Sequence, residues 1–358
     1  MKYLPHLSSL KFRLLISVVV ITGISCLFAF WLAFKILHSP LILADTSTQS
    51  ATEAVAQPPV IFEVSSGSSF SQVSRDLKSS GFFSYPRLLI LFARIRGVEN
   101  SIKVGEYHLN SGLTAAALLD KMVAGETLQY RVTLVEGWTF KKALDAIQGS
   151  NKIVSVLQGL KQTEMVALIS PTFENTEGIL FPDTYFYTAG STDLDLLRRA
   201  SARLESILQS EWEKKLGALP YKTPYEALIM ASIIEKESAA SSERGHISGV
   251  FTRRLELGMR LQSDPTVIYG MGDTYDGDIR KADLQEVTPY NTYRVNGLPP
   301  TPIALSGFDS IHASLNPESS DYLYFVAQSD GSHYFSSSLQ EHNQAVARLL
   351  NRNQTSQN

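Results

Sequence analysis

The chain has 358 residues, a formal net charge of −3 and one cysteine. That length accommodates two domains beyond an anchor. A slightly acidic balance with no basic run argues against a nucleic-acid partner, and a lone Cys26 supports neither a disulfide framework nor a zinc site. Between Arg13 and Lys35 every residue is uncharged and most are large and apolar. As a helix, residues 14–34 span about 32 Å, enough to cross the hydrocarbon core of a membrane. Lys2, Lys11 and Arg13 precede the run, so a cytoplasmic N-terminus is expected, with the rest of the chain across the inner membrane. A cleaved signal peptide is the competing reading, but the run is too long and Ile42-Leu43-Ala44 is a poor cleavage site. Residues 1–44 are thus a cytoplasmic stub and single-pass anchor. Residues 45–59, rich in Ser, Thr, Ala and Gln, form a flexible spacer.

Residues 60–126 repeat a phrase in which an apolar strand ends at a glycine, a hydroxyl residue follows, and a helix begins. It occurs at Gly67-Ser68-Ser69 and Gly112-Leu113-Thr114, and again at Gly137-Trp138-Thr139. Ser69, Thr114 and Thr139 are candidate N-caps. The helix after Ser69 places Phe70, Val73 and Leu77 on one face and stops at Gly81. A second helix runs from Pro86 to Gly97, and Lys103 to Leu109 is a returning strand. This strand–helix–helix–strand order resembles a LysM module, which implies glycan binding. The plainer reading is that such Gly-x-Ser/Thr phrases are ordinary punctuation between strand and helix.

Residues 127–358 form the remaining domain. Thr127 to Val135 alternates as a half-buried strand, with Leu128, Tyr130, Val132 and Leu134 on one face. A helical pattern follows from Thr139 to Leu168. The aromatic stretch Glu177 to Tyr185 reads as the wall of a groove or, equally, as core packing. Asp193 to Leu216 is a long amphipathic helix. Thr223, Pro224 and Glu226 then make a capping box for a helix that is apolar on nearly every side from Ala227 to Ile234. It ends in Glu235-Lys236-Glu237. The two carboxylates point about 200° apart, so they cannot share one site. Glu237 continues the bulky stripe of Met230, Ile233 and Ile234, where poor hydration favours a retained proton, as a general acid needs. Glu235 continues the stripe of Leu228, Ala231 and Ser232, and its replacement is expected to cost cleavage much less than that of Glu237 and, if exposed, to weaken at most a local charge pair worth under about 1 kcal/mol. The competing reading makes both glutamates structural charges at the solvated end of a core helix.

Ser242 is a candidate cap for a further helix ending at Gly258, and Asp264 caps a short helix after Gln262-Ser263. Pro289-Tyr290-Asn291-Thr292-Tyr293 and Gly297 to Pro302 are rigid, aromatic and amide-bearing loops of the kind that line a sugar groove. Tyr322 to Ala327 and His333 to Ser336 form a hairpin around Asp330-Gly331, and a helix from Leu339 closes the fold. The seven histidines are scattered with no H-E-x-x-H spacing, and no G-x-S-x-G elbow, P-loop or dinucleotide fingerprint occurs. Neither a metal nor a cofactor is expected; chemistry rests on carboxylates and hydroxyls.

The segments I-I-E-K-E-S, M-R-L-Q-S-D-P-T-V-I-Y-G-M-G, P-Y-N-T-Y, G-L-P-P-T-P-I and E-G-I-L-F-P-D-T-Y, in this order-specific set, resemble the endolytic murein transglycosylase (YceG-like) family from Val60 to the last helix. The resemblance implies an α+β protein with a LysM-like β-α-α-β subdomain and a mixed α/β catalytic domain. It implies cleavage of peptidoglycan glycan strands between MurNAc and GlcNAc on the periplasmic side of the inner membrane. The 1,6-anhydroMurNAc ends would terminate nascent strands, with cell-wall synthases as partners. The family's catalytic glutamate matches Glu237, and Ser238 completes a Glu-Ser pair such as other lytic transglycosylases carry. Gln262, Ser263, Asp264, Tyr290, Asn291 and Tyr293 are the expected sugar-binding residues. An alternative from another class is a non-catalytic, membrane-anchored peptidoglycan-binding scaffold. Aminodeoxychorismate lyase, attached to some relatives, needs a pyridoxal phosphate lysine and a phosphate cradle, and no convincing set is present. Because the one long apolar run is N-terminal, a chain beginning near Val60 is expected to be soluble, folded and active.

Overall fold

The computed structural model describes residues 9–42, 60–110, 112–215, 217–238, 240–328 and 330–355. The spacer read over 45–59 lies outside them. The chain divides into two compact units, residues 1–129 with 188–190, and residues 130–187 with 191–358.

The first unit opens with helix α1 (Ser9–Leu37), whose segment Phe12–Leu37 has a mean hydropathy of 2.4 and is long and apolar enough to cross a membrane. Strand β1 (Val60–Val64), helices α2 (Phe70–Ser79) and α3 (Pro86–Ile95), strand β2 (Gly105–Leu109) and helix α4 (Ala115–Ala124) follow. The β-α-α-β order is as read. β1 and β2 pair antiparallel, from Val60 opposite Leu109 to Val64 opposite Gly105. The caps are also as read: the Ser69 hydroxyl accepts from the Gln72 N–H, and that of Thr114 accepts from the Ala117 N–H. Gly67 and Gly112 turn the chain at φ +79° and +84°, where a side chain would be strained.

The C-terminal end of α1 differs from the sequence reading. Leu37 and Leu41 are buried in the same core as Phe62, Val73, Leu89 and Tyr107. The Leu41 N–H donates to the Leu113 carbonyl at 2.7 Å, and the Ile42 N–H to that of Phe82 at 3.0 Å. The end of α1 is therefore a piece of the folded unit. Its apolar residues alone gave no sign of this, because they look the same whether lipid or protein covers them.

The second unit contains β3 (Tyr130–Thr133), α5 (Phe140–Gln148), α6 (Gln162–Ile169), β4 (Thr184–Tyr187), α7 (Asp193–Lys214), α8 (Pro224–Glu237), α9 (Arg244–Glu256), α10 (Asp264–Met271), α11 (Phe308–Leu315), β5 (Tyr324–Ala327), β6 (His333–Ser336) and α12 (Leu339–Thr355). β3 pairs with β4 and β5 with β6, both antiparallel, so the expected mixed α/β domain is a helical assembly carrying two short ribbons among the described residues. Helix α8 is its axis. Every residue from Ala227 to Ile234 is buried, and α7, α9, α10 and α11 pack around it, α11 most closely. The Thr223 hydroxyl caps α8 through the Glu226 N–H, while the Glu226 carboxylate accepts from Lys222 rather than from Thr223 itself.

Several readings change. The helical pattern from Thr139 to Leu168 is two helices separated by residues 149–161. The start is as expected, with Thr139 accepting from the Lys142 N–H. In the stretch Glu177 to Tyr185, Ile179, Leu180 and Phe181 are buried core rather than groove wall, and Thr184 begins the unforeseen strand β4. Ser242 lies in a 3-10 turn (Ser241–Glu243) and does not cap α9. Residues 301–307 are buried along α8, where the Ile303 N–H donates to Ser232 Oγ at 3.0 Å, so the Thr301–Pro302 end of the expected loop is packing while Pro300 stays exposed.

Removal of the docked segment should weaken the first unit. A chain beginning at Val60 lacks Leu37 and Leu41, each a buried leucine contributing about 1.5–3 kcal/mol. Relative to a chain beginning at Ile36, it is expected to lose about 2–4 kcal/mol after allowance for residual burial in the unfolded state. Amide hydrogen exchange in β2 reads this directly; equal protection in the two chains would show that the docking contributes nothing.

Candidate active site

Helix α8 ends at Glu237, with the Ser238 N–H donating to the Ile234 carbonyl at 3.0 Å, and at that end a helix dipole disfavours a negative charge. The residue keeps part of its surface open, but its carboxyl is largely wrapped by protein. Burial is the main cause that pushes the acid up to about 7. The Asp264 carboxylate pushes the same way. The Ser263 hydroxyl, His333 and Arg254 pull it back down.

Ser263 Oγ donates to Glu237 Oε1 at 2.6 Å. Ser263 is the N-cap position of α10, yet its side chain makes no cap bond because the carboxylate takes it. Asp264, expected as the cap, is the first helical residue. Ser263 is buried, which makes it a positioning residue for the acid rather than a surface that meets sugar. The loop is held by the Pro289 to Tyr293 segment: Thr292 Oγ1 accepts from the Ser263 N–H at 2.9 Å and the Thr292 carbonyl from the Gln262 N–H at 3.2 Å. Gln262 adopts φ +53°, a left-handed backbone that a non-glycine residue holds only when its surroundings enforce it. Its side chain is exposed beside the acid's partner.

Asp264 is exposed, and its Oδ1 accepts from the Tyr293 hydroxyl at 2.6 Å. Burial and this acceptor raise the Tyr293 phenol. The Tyr290 hydroxyl shares a hydrogen with Thr301 Oγ1 at 2.9 Å, and its ring meets Tyr269 edge-on at 4.8 Å. Asn291 departs from expectation. It is buried, and its Nδ2 donates to the Asp283 and Glu286 carbonyls while its Oδ1 accepts from the Tyr293 N–H. With both amide hydrogens used, it shapes the loop. Ser238 departs too: its hydroxyl donates to the Ala240 carbonyl at 2.6 Å and closes the helix end. Thus Glu237, Gln262, Ser263, Asp264 and Tyr293 come together, with Tyr290 further along α10.

Two neighbours were missed. Arg254 on α9 is buried, donating to the Leu323 and Leu261 carbonyls and lying 5.2 Å over the Tyr324 ring. His333 on β6 is held by Glu243, Nδ1 to Oε2 at 2.7 Å. Neither stands in a recognisable motif, and both reach the acid only through tertiary packing. Among the described residues, no group of three or more His, Cys, Asp or Glu side chains is arranged to hold a metal. A recess of about 760 Å³, lined by residues including Phe173, Tyr225 and Pro300, lies at the other end of α8, roughly 20 Å away by helix rise.

Glu235 has the opposite surroundings. Its carboxylate accepts from Arg244 Nη2 at 3.2 Å and from the Gly307 N–H at 3.0 Å, with 5% of the side chain exposed. Arg244 also lies near Glu136 and Asp309. A Cβ at Gly307 would fall 2.0 Å from Glu136 Oε1, so a larger residue there would displace the half-exposed Glu136 side chain. Glu235 therefore ties α8 to α9 and to the start of α11, and it is not the exposed charge for which a small stability cost was expected. The Glu177 carboxylate is a third buried acid, raised by burial and accepting from the Phe140 and Gly178 N–H groups and the Tyr269 hydroxyl. It fastens the first turn of α5 to α10.

The acid expected at the end of the buried helix is thus raised to about 7, and a serine expected to meet sugar holds it instead. The YceG-like family matches residues 62–348. The chain belongs to that family. An endolytic murein transglycosylase of Bacillus subtilis (strain 168) is 31% identical over 330 residues, covering 86% of this chain and 89% of the relative. One from Streptococcus pneumoniae serotype 2 is 26% identical over 84% of this chain, which spans 60% of that longer protein. A crystallised YceG-like protein from Listeria monocytogenes is 29% identical, with a TM-score of 0.50 over 81% of this chain and 100% of its own.

The two glutamates of this YceG-like protein should separate by stability. Glu235→Gln removes the charge facing buried Arg244 and is expected to destabilise the fold by about 2–4 kcal/mol. Glu237→Gln behaves differently. Below the ordinary value of 4.5, Glu237 is protonated in both folded and unfolded chains and imposes no penalty. As pH rises through about 7, the folded state comes to hold a disfavoured carboxylate. Relative to the native chain, Glu237→Gln should therefore gain on the order of 3 kcal/mol between pH 4.5 and pH 8. Urea unfolding at both pH values measures it, and a pH-independent difference would refute the raised acid.

Proposed function

We propose that this protein is a membrane-anchored endolytic lytic transglycosylase that cleaves MurNAc–GlcNAc bonds within peptidoglycan strands. The carrying observation is the half-buried Glu237 carboxyl, raised to about 7 and held by Ser263. Family membership and relatives named endolytic murein transglycosylases support the substrate. One carboxyl suffices for the chemistry. Hydrolytic glycosidases need two, one to protonate the leaving oxygen and one to direct water or attack the sugar. Here Glu237 gives its proton to the departing GlcNAc O4 as the C1–O4 bond breaks. The MurNAc 6-hydroxyl attacks C1, and its proton goes to the Glu237 carboxylate, restoring the acid and closing a 1,6-anhydro ring. Attack from within the same sugar gains from proximity and needs no captured water.

In this reading, the exposed Gln262 side chain and the Asp264–Tyr293 pair contact the sugars beside the acid, and Tyr290 extends that surface. Helix α1 is the anchor, with the N-terminus cytoplasmic and both units periplasmic. The β-α-α-β part of the first unit supplies a LysM-like second contact with glycan. Cleavage of nascent strands terminates their elongation, which places the enzyme's work beside that of cell-wall synthases.

Glu237→Gln should lower release of muropeptides from purified sacculi by at least ~10²-fold, the usual scale of general acid–base help. The native products should end in 1,6-anhydroMurNAc and take no oxygen from heavy-isotope water, read by mass spectrometry. Reducing-end MurNAc carrying the label would instead establish hydrolysis. Because the acid must be protonated to act first as donor, kcat/KM should fall as pH rises above about 7. A profile flat from pH 5 to 9 would remove Glu237 from that role.

A further inference from the structure

Helix α3, P-R-L-L-I-L-F-A-R-I, carries only two charges, Arg87 and Arg94. Its inner face is Leu89 and Ala93, 1% and 0% exposed. The outer face is not the polar surface a soluble domain presents. Leu91 and Ile95 are 52% and 76% exposed, and Leu88 and Phe92 beside them are half-buried. Residues 88, 91, 92 and 95 make one continuous helical stripe. The neighbouring helix α2 shows the ordinary pattern, with Gln72, Arg75, Lys78 and Ser79 outward. An apolar stripe left open beside such a helix marks a contact surface.

What lies against that stripe follows from α1. The apolar span ends at Leu37, which is itself buried in the core that holds Leu89 and Ala93, and α1 packs on α3. Trp31, half-exposed with Lys35 Nζ 5.8 Å from its ring, marks the level where a spanning helix meets the headgroups. The domain core begins within two turns of that level. Ile42, 61% exposed, is bonded through its backbone to Phe82 in the loop that leads into α3. Since the chain has no slack between bilayer and domain, this face stands at the membrane surface.

We propose that α3 is a second membrane-contacting element, lying in the headgroup–acyl boundary of the leaflet from which α1 emerges. Leu88, Leu91 and Ile95 enter the apolar edge, and the Arg87 guanidinium reaches lipid phosphates, while Arg94 Nε is paired with Glu99 at 3.2 Å. The inference rests on the reading of α1 as a membrane span. Together the two helices fix the tilt of the first unit on the membrane, where a single span would leave it free to swing.

The test uses the full chain with Cys26→Ser, reconstituted in phosphatidylethanolamine–phosphatidylglycerol vesicles. Single cysteines replace Ile95, Val20 or Gln72 in turn and carry an environment-sensitive fluorophore. Each site is exposed, so the label leaves the core intact. The expected result is that the Val20 probe is quenched by spin-labelled lipid and the Gln72 probe by aqueous iodide. The Ile95 probe should be quenched by lipid spin-labelled near the headgroup, with iodide quenching several-fold below that at Gln72. If Ile95 is as open to iodide as Gln72 while Val20 is in lipid, the anchor stands and the proposal falls. If Ile95 is shielded from both quenchers, protein covers α3 and the proposal falls equally. If Val20 is itself open to iodide, α1 does not span and both readings fail.

Discussion

The structure depends on the burial of α8 on all sides. Eight consecutive residues, Ala227 to Ile234, are inaccessible to solvent, and each large aliphatic side chain among them contributes about 1.5–3 kcal/mol by leaving water. A rod so well held can carry, at its end, a carboxyl with little hydration, which on its own would destabilise whatever held it. The Ser263 hydroxyl supplies one hydrogen bond and no positive charge. Satisfying the carboxyl with a hydroxyl keeps its geometry fixed while leaving its proton affinity high; a salt bridge would have fixed it and lowered that affinity.

The contrast with Glu235, two residues earlier on the same helix, shows how local such tuning is. Glu235 faces a buried guanidinium and a backbone N–H, so its charge is balanced and structural. Glu237 faces a hydroxyl and a second carboxylate, with Arg254 engaged by backbone carbonyls instead of by the acid. About half a turn of helix thus separates a carboxylate that fastens three helices from a carboxyl whose proton affinity is raised. Asp264 joins the two requirements: its charge raises the acid, while Tyr293 holds it in place.

The first unit applies the same economy at the other end of the chain. Its core admits Leu37 and Leu41, so the end of the long apolar helix α1 forms part of the domain that follows it. The apolar residues at this junction are shared between protein core and outer surface, which is why the border between them cannot be drawn at the last hydrophobic residue.

The sequence by itself determined what depends on neighbours in the chain. Three hydroxyl caps, Ser69, Thr114 and Thr139, stand where expected, because an N-cap bond reaches only three residues ahead. The burial of α8 and the divergence of its two glutamates were legible from a period of 3.6 residues. The β5–β6 hairpin was legible from its turn. Tertiary structure decided what depends on residues far apart. Strand β4 was invisible because Thr184 to Tyr187 is short and becomes a strand by pairing with β3, some fifty residues earlier. Asn291 looked like a sugar ligand, since an amide's residue type is the same whether its hydrogens are free or bonded to the Asp283 and Glu286 carbonyls. The tie made by Glu235 was not legible because its partner Arg244 lies on the next helix, and Arg254 and His333 carried no signal because a charge acts through space, at a distance that only the folded chain sets.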